Sequence, residues 1–205
     1  MTRVTKRTAV KWTAAIAIVA AATAATTGVY YYQRTRYPRK FEEVVPGRLY
    51  RGGQPTPAQL ERIVREKGIR TLVNLRREER WQNDPNCVFE REFAEKQGLK
   101  FVGLPLTWPP SEEQVRQALG ILDDERNWPV LVHCSAGIER SGMLVAIYRI
   151  ERQGWTSQRA LDEMLSKGVP RTSERSGDPV EYVAYLRAYV PRFPKASAAQ
   201  TPPPH

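Results

Sequence analysis

Apolar and polar positions change their period several times along this chain, and the changes mark its elements. From Trp12 to Gln33 there is no charge, and Ala, Ile and Val recur throughout. About 20 such residues at 1.5 Å rise are enough to cross a hydrocarbon layer of roughly 30 Å, so a transmembrane anchor is predicted over 12–33. Trp12 at one end and Tyr30, Tyr31 and Tyr32 at the other match the aromatic residues that gather at the two membrane interfaces. The alternative is a cleaved signal sequence, because Ala22-Thr23-Ala24 offers the small residues a peptidase needs. The expected location is therefore the membrane, through a single N-terminal pass.

Beyond Phe41 short apolar runs alternate with amphipathic stretches. Strands are predicted at Arg48–Tyr50, Thr71–Leu75, Lys100–Leu106 and Pro129–His133, the last a near-continuous apolar run of the kind buried on both faces of a parallel sheet. Helices are predicted from Thr56 with Pro57 in the first turn, over Glu90–Gln97, from the capping box Ser111–Gln114 to about Asp123, over Ser141–Gln153 and Thr156–Ser166, and from Asp178-Pro179 with Glu181. Such alternation predicts an α/β fold with a mainly parallel central sheet flanked by helices. The expected organisation is a basic arm (1–11), the anchor (12–33), one catalytic-sized domain (41–190) and a disordered Pro/Ala-rich tail (191–205).

Charge changes the picture only after it is divided. The formal net charge is +10, but residues 1–40 hold eight Lys and Arg and no acid, leaving the rest nearly neutral. A nucleic-acid binder spreads its basic residues over a domain face, so nucleic acid is excluded as a partner. The positive-inside rule leaves the membrane side open, since four basic residues precede the span and four follow it. Two cysteines are too few for a disulfide scaffold and lack zinc-site spacing.

The chemistry concentrates in His133-Cys134-Ser135-Ala136-Gly137-Ile138-Glu139-Arg140-Ser141-Gly142. A cysteine ends a strand, a glycine follows, an arginine comes six positions on, and a helix begins at once. The backbone N–H groups of such a turn converge on one point, and the helix N-terminus adds positive potential there. Gly137 permits the conformation the turn needs. Arg140 can hold two oxygens of a tetrahedral dianion, and the same field favours thiolate over thiol at Cys134.

This stretch resembles the Cys-x5-Arg loop of cysteine-dependent protein tyrosine and dual-specificity phosphatases, with Glu139 where the common wording has glycine. Tyr50-Arg51-Gly52-Gly53-Gln54-Pro55, followed by a helix and then Thr71–Arg76, resembles the opening of the compact members of that family. The resemblance implies a phosphotyrosine-phosphatase-like fold over 41–189. It also implies that Cys134 attacks phosphorus and forms a phosphocysteine. Arg140 and the amides of Ser135, Ala136, Gly137, Ile138 and Glu139 would hold the equatorial oxygens. Ser141 would help the sulfur leave, and His133 would fix the loop. No metal or organic cofactor is implied, and the implied partner is a phosphorylated protein or a small phosphomonoester.

The family also supplies an aspartic acid that protonates the leaving oxygen. Thr107-Trp108-Pro109-Pro110 resembles its Trp-Pro-Asp loop, but Pro110 stands where the acid belongs. Glu139 is the first replacement, because some bacterial relatives carry an aspartate there and use it. Asp84 is the second, and Glu78, Glu79 and Glu112 remain open. The side chains inside the loop include one carboxylate and no Lys, which favours a singly phosphorylated group, phosphotyrosine first. Arg171 and Arg175 offer a second anion contact. Phosphoserine or phosphothreonine stays open as substrate, and so do three other readings: a phosphate-reading module with little turnover, a phosphoinositide or inositol phosphate phosphatase, and sulfur transfer on a rhodanese-like domain. Cys87 reads as a core residue, with oxidative pairing to Cys134 as a further option.

Overall fold

The computed structural model describes residues 3–169 and 181–193. The chain divides into two compact units, Met1–Tyr37 and Pro38–His205. The first contains one helix, α1 (Arg3–Arg36). Threonines along it satisfy themselves: Thr23 Oγ1 donates to the Val19 carbonyl at 2.8 Å and Thr26 Oγ1 to that of Ala22 at 2.9 Å. Among the described residues no helix is long and apolar enough to cross a membrane. This corrects the expected transmembrane anchor, and with it the membrane partner and the membrane location. The physical reason is that lack of charge is not the same as apolar surface. Leu, Ile, Phe and Val drive insertion, and between Trp12 and Gln33 only Ile16, Ile18, Val19 and Val29 are of that kind.

The second unit is built on five strands: β1 (Glu42–Val45), β2 (Leu49–Gly52), β3 (Thr71–Asn74), β4 (Lys100–Gly103) and β5 (Val130–His133). Their order is β1-β2-β5-β3-β4, with β1 antiparallel and every other pairing parallel. The α/β class with a mainly parallel sheet is as expected. Each of β2, β3 and β5 is buried along its whole length, which is why β5 reads as a continuous apolar run.

Helices α2 (Pro57–Lys67), α3 (Glu78–Asn83), α4 (Pro85–Gln97), α5 (Glu112–Asp123), α6 (Arg140–Gln153), α7 (Ser157–Ser166) and α8 (Glu181–Arg187) complete the unit. Local chemistry sets their starts. Gln59 Oε1 accepts from Thr56 N at 3.0 Å, Ser111 and Gln114 form the predicted capping box, and Thr156 Oγ1 accepts from Arg159 N. The residues Asp178 and Pro179, predicted to open the last helix, lie outside the described residues, as do Arg171, Arg175 and residues 194–205. Pro191 to Phe193 run on from α8, and Glu151 accepts from the amides of Arg192 and Phe193.

Two elements carried no apolar rhythm and were not expected. Strand β1 is four residues at the sheet edge, and α3 is six residues with none buried. A tertiary contact holds α3: the Trp81 ring occupies the space a side chain at Gly103 would need, edge-on to Phe101.

Alternation along the sheet separates two faces. Val73, Val130, Val132 and Cys134 share an apolar cluster with Ala118 and Leu122 of α5 and Leu144 and Val145 of α6. His133, of the opposite parity, meets Glu90 of α4. At the carboxyl ends of the parallel strands Gly52, His133, Asn74 and Gly103 stand in one row. In open α/β sheets that edge is where ligands bind.

Candidate active site

β5 is the central strand, and the chain turns from its end directly into α6. The turn is held from one side by the segment after β2. Cys134 N donates to the Gly52 carbonyl at 3.4 Å, and Gln54 N donates to that of Ser135 at 3.1 Å. Gly137 adopts φ +73°, and a Cβ there would fall on Gly53 N, 2.5 Å from Gly52 C and 2.8 Å from the Arg39 carbonyl. Glycine is required at 137 on both counts, backbone sign and space. Gly52 and Gly53 of the resembling motif are thus the floor on which the loop lies, a role the sequence reading did not give them.

The loop brings the expected residues together. Cys134 is buried, and its Sγ lies 3.5 Å from Ser141 Oγ. Ser141 sits in the first turn of α6, whose helix bonds begin with Gly142 N to the Ile138 carbonyl and Met143 N to that of Glu139. Ser135 and Glu139 are exposed, Ala136 and Ile138 half-buried, and Arg140 carries a buried Nε with no hydrogen-bond partner. A cation with a buried, unpartnered donor at a helix start is a site for an anion.

Two hollows flank this loop. One, of about 630 Å³, is lined by Ser135, Arg140, Arg76, Arg77, Arg80, Glu79 and Asn83. The other, of about 300 Å³, is lined by Trp108, Glu139, Glu181 and Tyr182. Trp108 packs against Tyr182, ring centroids 5.6 Å apart, so it is a rim aromatic. Burial, aided by the nearby Glu139 carboxylate, pushes the Tyr182 hydroxyl up to about 12.

The carboxylates separate by what they are bonded to. Asp84 Oδ2 lies 2.7 Å from Arg76 Nη2 while Oδ1 accepts from Asn86 N, capping α4. Burial works to raise the Asp84 pKa, but the Arg76 hydrogen bond and the Asn86 and Cys87 amides outweigh it, and the net direction is down. A carboxyl held ionised is a poor proton donor, and both oxygens of Asp84 are engaged, one clamping Arg76 and the other capping α4. Glu112 is likewise engaged, 2.8 Å from Arg192 Nη1. Glu79 lies on the wall of the larger hollow and Glu139 on the wall of the smaller.

Beneath the loop lies a polar layer that was not expected. His133 Nε2 is 2.5 Å from Glu90 Oε1, and both side chains are fully buried. Cys87 Sγ lies 3.1 Å from both Arg76 Nη1 and Gln54 Oε1, and burial raises its thiol pKa. Both cysteines are free. A signal for this layer was present: Cys87, Glu90 and Ala94 follow helical spacing, so an acid stands in the buried stripe of α4. Among the described residues no group of three His, Cys, Asp or Glu side chains is placed to hold a metal ion.

The family model described as "DSP-PTPase phosphatase fused to NAD+ Kinase" matches residues 27–177, well over half of the chain. The chain belongs to this DSP-PTPase family. The dual specificity protein phosphatase TpbA of Pseudomonas aeruginosa is 30% identical over 124 residues, covering 58% of this chain and 51% of TpbA. The inositol diphosphatase DSP3 of Arabidopsis thaliana is 30% identical over 132 residues, covering 62% and 61%. The chain thus spans only about half to three fifths of these relatives. The crystal structure of the core catalytic domain of the PP-IP phosphatase SIW14 from S. cerevisiae superposes with a TM-score of 0.61 at 21% identity, over 75% of this chain and 87% of that one, which shows the shared fold. That of TpbA in complex with pTyr superposes with a TM-score of 0.52 at 25% identity, over 72% and 88%.

Proposed function

We propose that this protein is a cysteine-dependent phosphatase that hydrolyses phosphomonoesters through a phosphocysteine. The observation that carries the reading is Cys134 Sγ set 3.5 Å from Ser141 Oγ, at the start of α6, within a loop that ends in Arg140. In the first step Sγ attacks phosphorus, the leaving oxygen takes a proton, and a sulfur–phosphorus bond replaces the ester bond. Arg140 and the amides from Ser135 to Glu139 hold the equatorial oxygens as charge develops on them. In the second step water attacks phosphorus, and Ser141 hydrogen-bonds the departing sulfur. Glu139 supplies the proton in this reading: it is exposed, one residue from Arg140, and unlike Asp84 has no ion-pair partner among the described residues. Glu79 is its competitor, because it shares a hollow with Arg140.

Phosphotyrosine is the first substrate class, supported by the single carboxylate and absence of Lys within the loop and by the pTyr complex of TpbA. One observation favours a second class. Arg76, Arg77 and Arg80 share the larger hollow with Arg140 against a single carboxylate, Glu79, which suits a substrate with a further phosphate next to the scissile one. The relative named as an inositol diphosphatase is consistent with that.

Phosphate release from p-nitrophenyl phosphate tests the reaction, with Cys134→Ser expected to lower it by about 10³-fold or more. Unchanged release would refute the reading, and binding of tungstate with no turnover in the wild type would point to the phosphate-reading module. On a poor leaving group Glu139→Gln is expected to lose about 100-fold, and Glu79→Gln little. The reverse pattern would transfer the proton to Glu79. Arg77→Ala together with Arg80→Ala leaves phosphotyrosine turnover unchanged and raises KM for an inositol diphosphate if the second class is real.

A further inference from the structure

Glu90 takes no part in the reaction described above. It is fully buried on α4, and a buried carboxylate is costly unless several donors meet it. Three do. His133 Nε2 lies 2.5 Å from Oε1, while Oε2 accepts from Asn74 Nδ2 at 3.0 Å and from Gln54 Nε2 at 3.1 Å. Each partner belongs to a segment that shapes the anion loop. His133 is the residue before the nucleophile. Gln54 donates its own amide to the Ser135 carbonyl. Asn74 stands beside His133 in the strand-end row, and its Oδ1 accepts from Arg76 N at 3.0 Å, where the chain enters the arginine-lined hollow.

The proton on His133 can be placed. A carboxylate only accepts, so the atom facing Glu90 must carry the hydrogen. The other ring nitrogen, Nδ1, is buried and has no hydrogen-bond partner among the described residues. A proton there would be a buried donor with nothing to receive it, which costs more than leaving a lone pair unmet. We propose that Glu90 is the positioning residue of the active-site loop, holding His133 as its Nε2–H tautomer and tying His133, Asn74 and Gln54 into one frame beneath Cys134. The consequence for turnover rests on the phosphatase reading; the tautomer and the frame do not.

Glu90→Gln tests the frame with almost no change of shape. Two of the three neighbours of Glu90 approach Oε2 as donors and the third approaches Oε1 as a donor. An amide group must therefore turn its own N–H₂ toward at least one donor, whichever way it is flipped. The mismatch is relieved if His133 moves its proton to Nδ1, so the variant reads the frame directly. The chain has two histidines, His133 and His205, which makes its imidazole ¹⁵N pattern simple to assign. The wild type is expected to show the Nε2–H pattern for His133, and Glu90→Gln to lose it. A wild-type Nδ1–H pattern would overturn the proposal.

Tungstate affinity, by calorimetry, supplies a second readout that needs no turnover. If Glu90 acts by position, Glu90→Gln misaligns the loop amides and binding weakens about tenfold. If it acts only through its negative charge, removing that charge strengthens anion binding, and the proposal fails. In kinetics the variant is expected to lose about tenfold in kcat with KM changed less than threefold; a loss confined to KM would also overturn it. Should Glu90→Gln not fold, Gln54→Met removes one arm of the frame while keeping the backbone bond to Ser135, with tungstate binding expected to weaken about threefold. No weakening there would refute the frame. A wild type that neither turns over substrate nor binds tungstate sinks the phosphatase reading, while the ¹⁵N pattern still decides the tautomer.

Discussion

At its carboxyl end the two faces of β5 meet the same loop and are built from opposite materials. On the α6 side Val130, Val132 and Cys134 lie in one apolar cluster with Leu144, Val145 and Ala118. On the α4 side His133 meets Glu90, which hydrogen bonds tie to Asn74 and Gln54 and through Gln54 to Arg76 and Cys87, all of them buried except the half-buried Gln54. Apolar packing is non-directional and tolerant, so the first face supplies stability and lets the nucleophile sit on a rigid bed. Hydrogen bonds are directional and costly to leave unmade, so the second face specifies one arrangement of the residues around the loop. A loop that must aim several amides at one point needs both.

This contrast can be broken at its strongest point first. Gly137→Ala drives a Cβ into the backbone of Gly52 and Gly53 and strains φ at +73°, so both faces lose their common loop. A loss of about 3 kcal/mol or more in denaturant unfolding, together with loss of tungstate binding, is expected. Binding retained at wild-type affinity would mean that the loop does not depend on this turn.

Leu144→Ala, on the apolar face, is expected to cost about 3 kcal/mol in the same unfolding measurement while leaving kcat of the folded enzyme within about twofold. Asn74→Ala, on the polar face, is expected to cost less, about 1–2 kcal/mol, yet to lower kcat by more than Leu144→Ala does. If the two variants rank the same way in stability and in rate, the division of labour between the faces is wrong.

The smallest effect concerns Asp84, which stands at the edge of the polar face. Its folded pKa is depressed by Arg76 and the α4 amides, so its contribution is fully present above the ordinary aspartate range and is lost as pH falls through the lowered folded value. Asp84→Asn is therefore expected to cost about 1 kcal/mol near neutral pH and nothing once the pH has fallen below the lowered folded value, with kcat on p-nitrophenyl phosphate little changed. A large drop in kcat with a poor leaving group would restore Asp84 as the acid.

Legibility followed the range of the interactions. The helix starts at Thr56, Ser111 and Thr156 were readable because a cap is made within four residues. Strand β5 was readable because burial on both faces leaves a continuous apolar run. Helix α3 was not, since Trp81 holds it against Gly103 some twenty residues away, and β1 was not, since a four-residue edge strand has no period to detect. The predicted span over 12–33 failed for another reason: the stretch is uncharged, but Ala and Thr dominate it and give it too little apolar surface.

By itself the sequence determined the α/β class, the family and the local spacing of Cys134, Gly137, Arg140 and Ser141, because these depend on contacts between residues close in the chain. Only the tertiary structure decided which carboxylates are free. It bonded Asp84 to Arg76 and set Glu79 and Glu139 in two different hollows beside the loop. It also placed Glu90 beneath His133, 43 positions away. Those outcomes depend on which strand ends lie side by side once the sheet has formed, and spacing along the chain carries no record of that order.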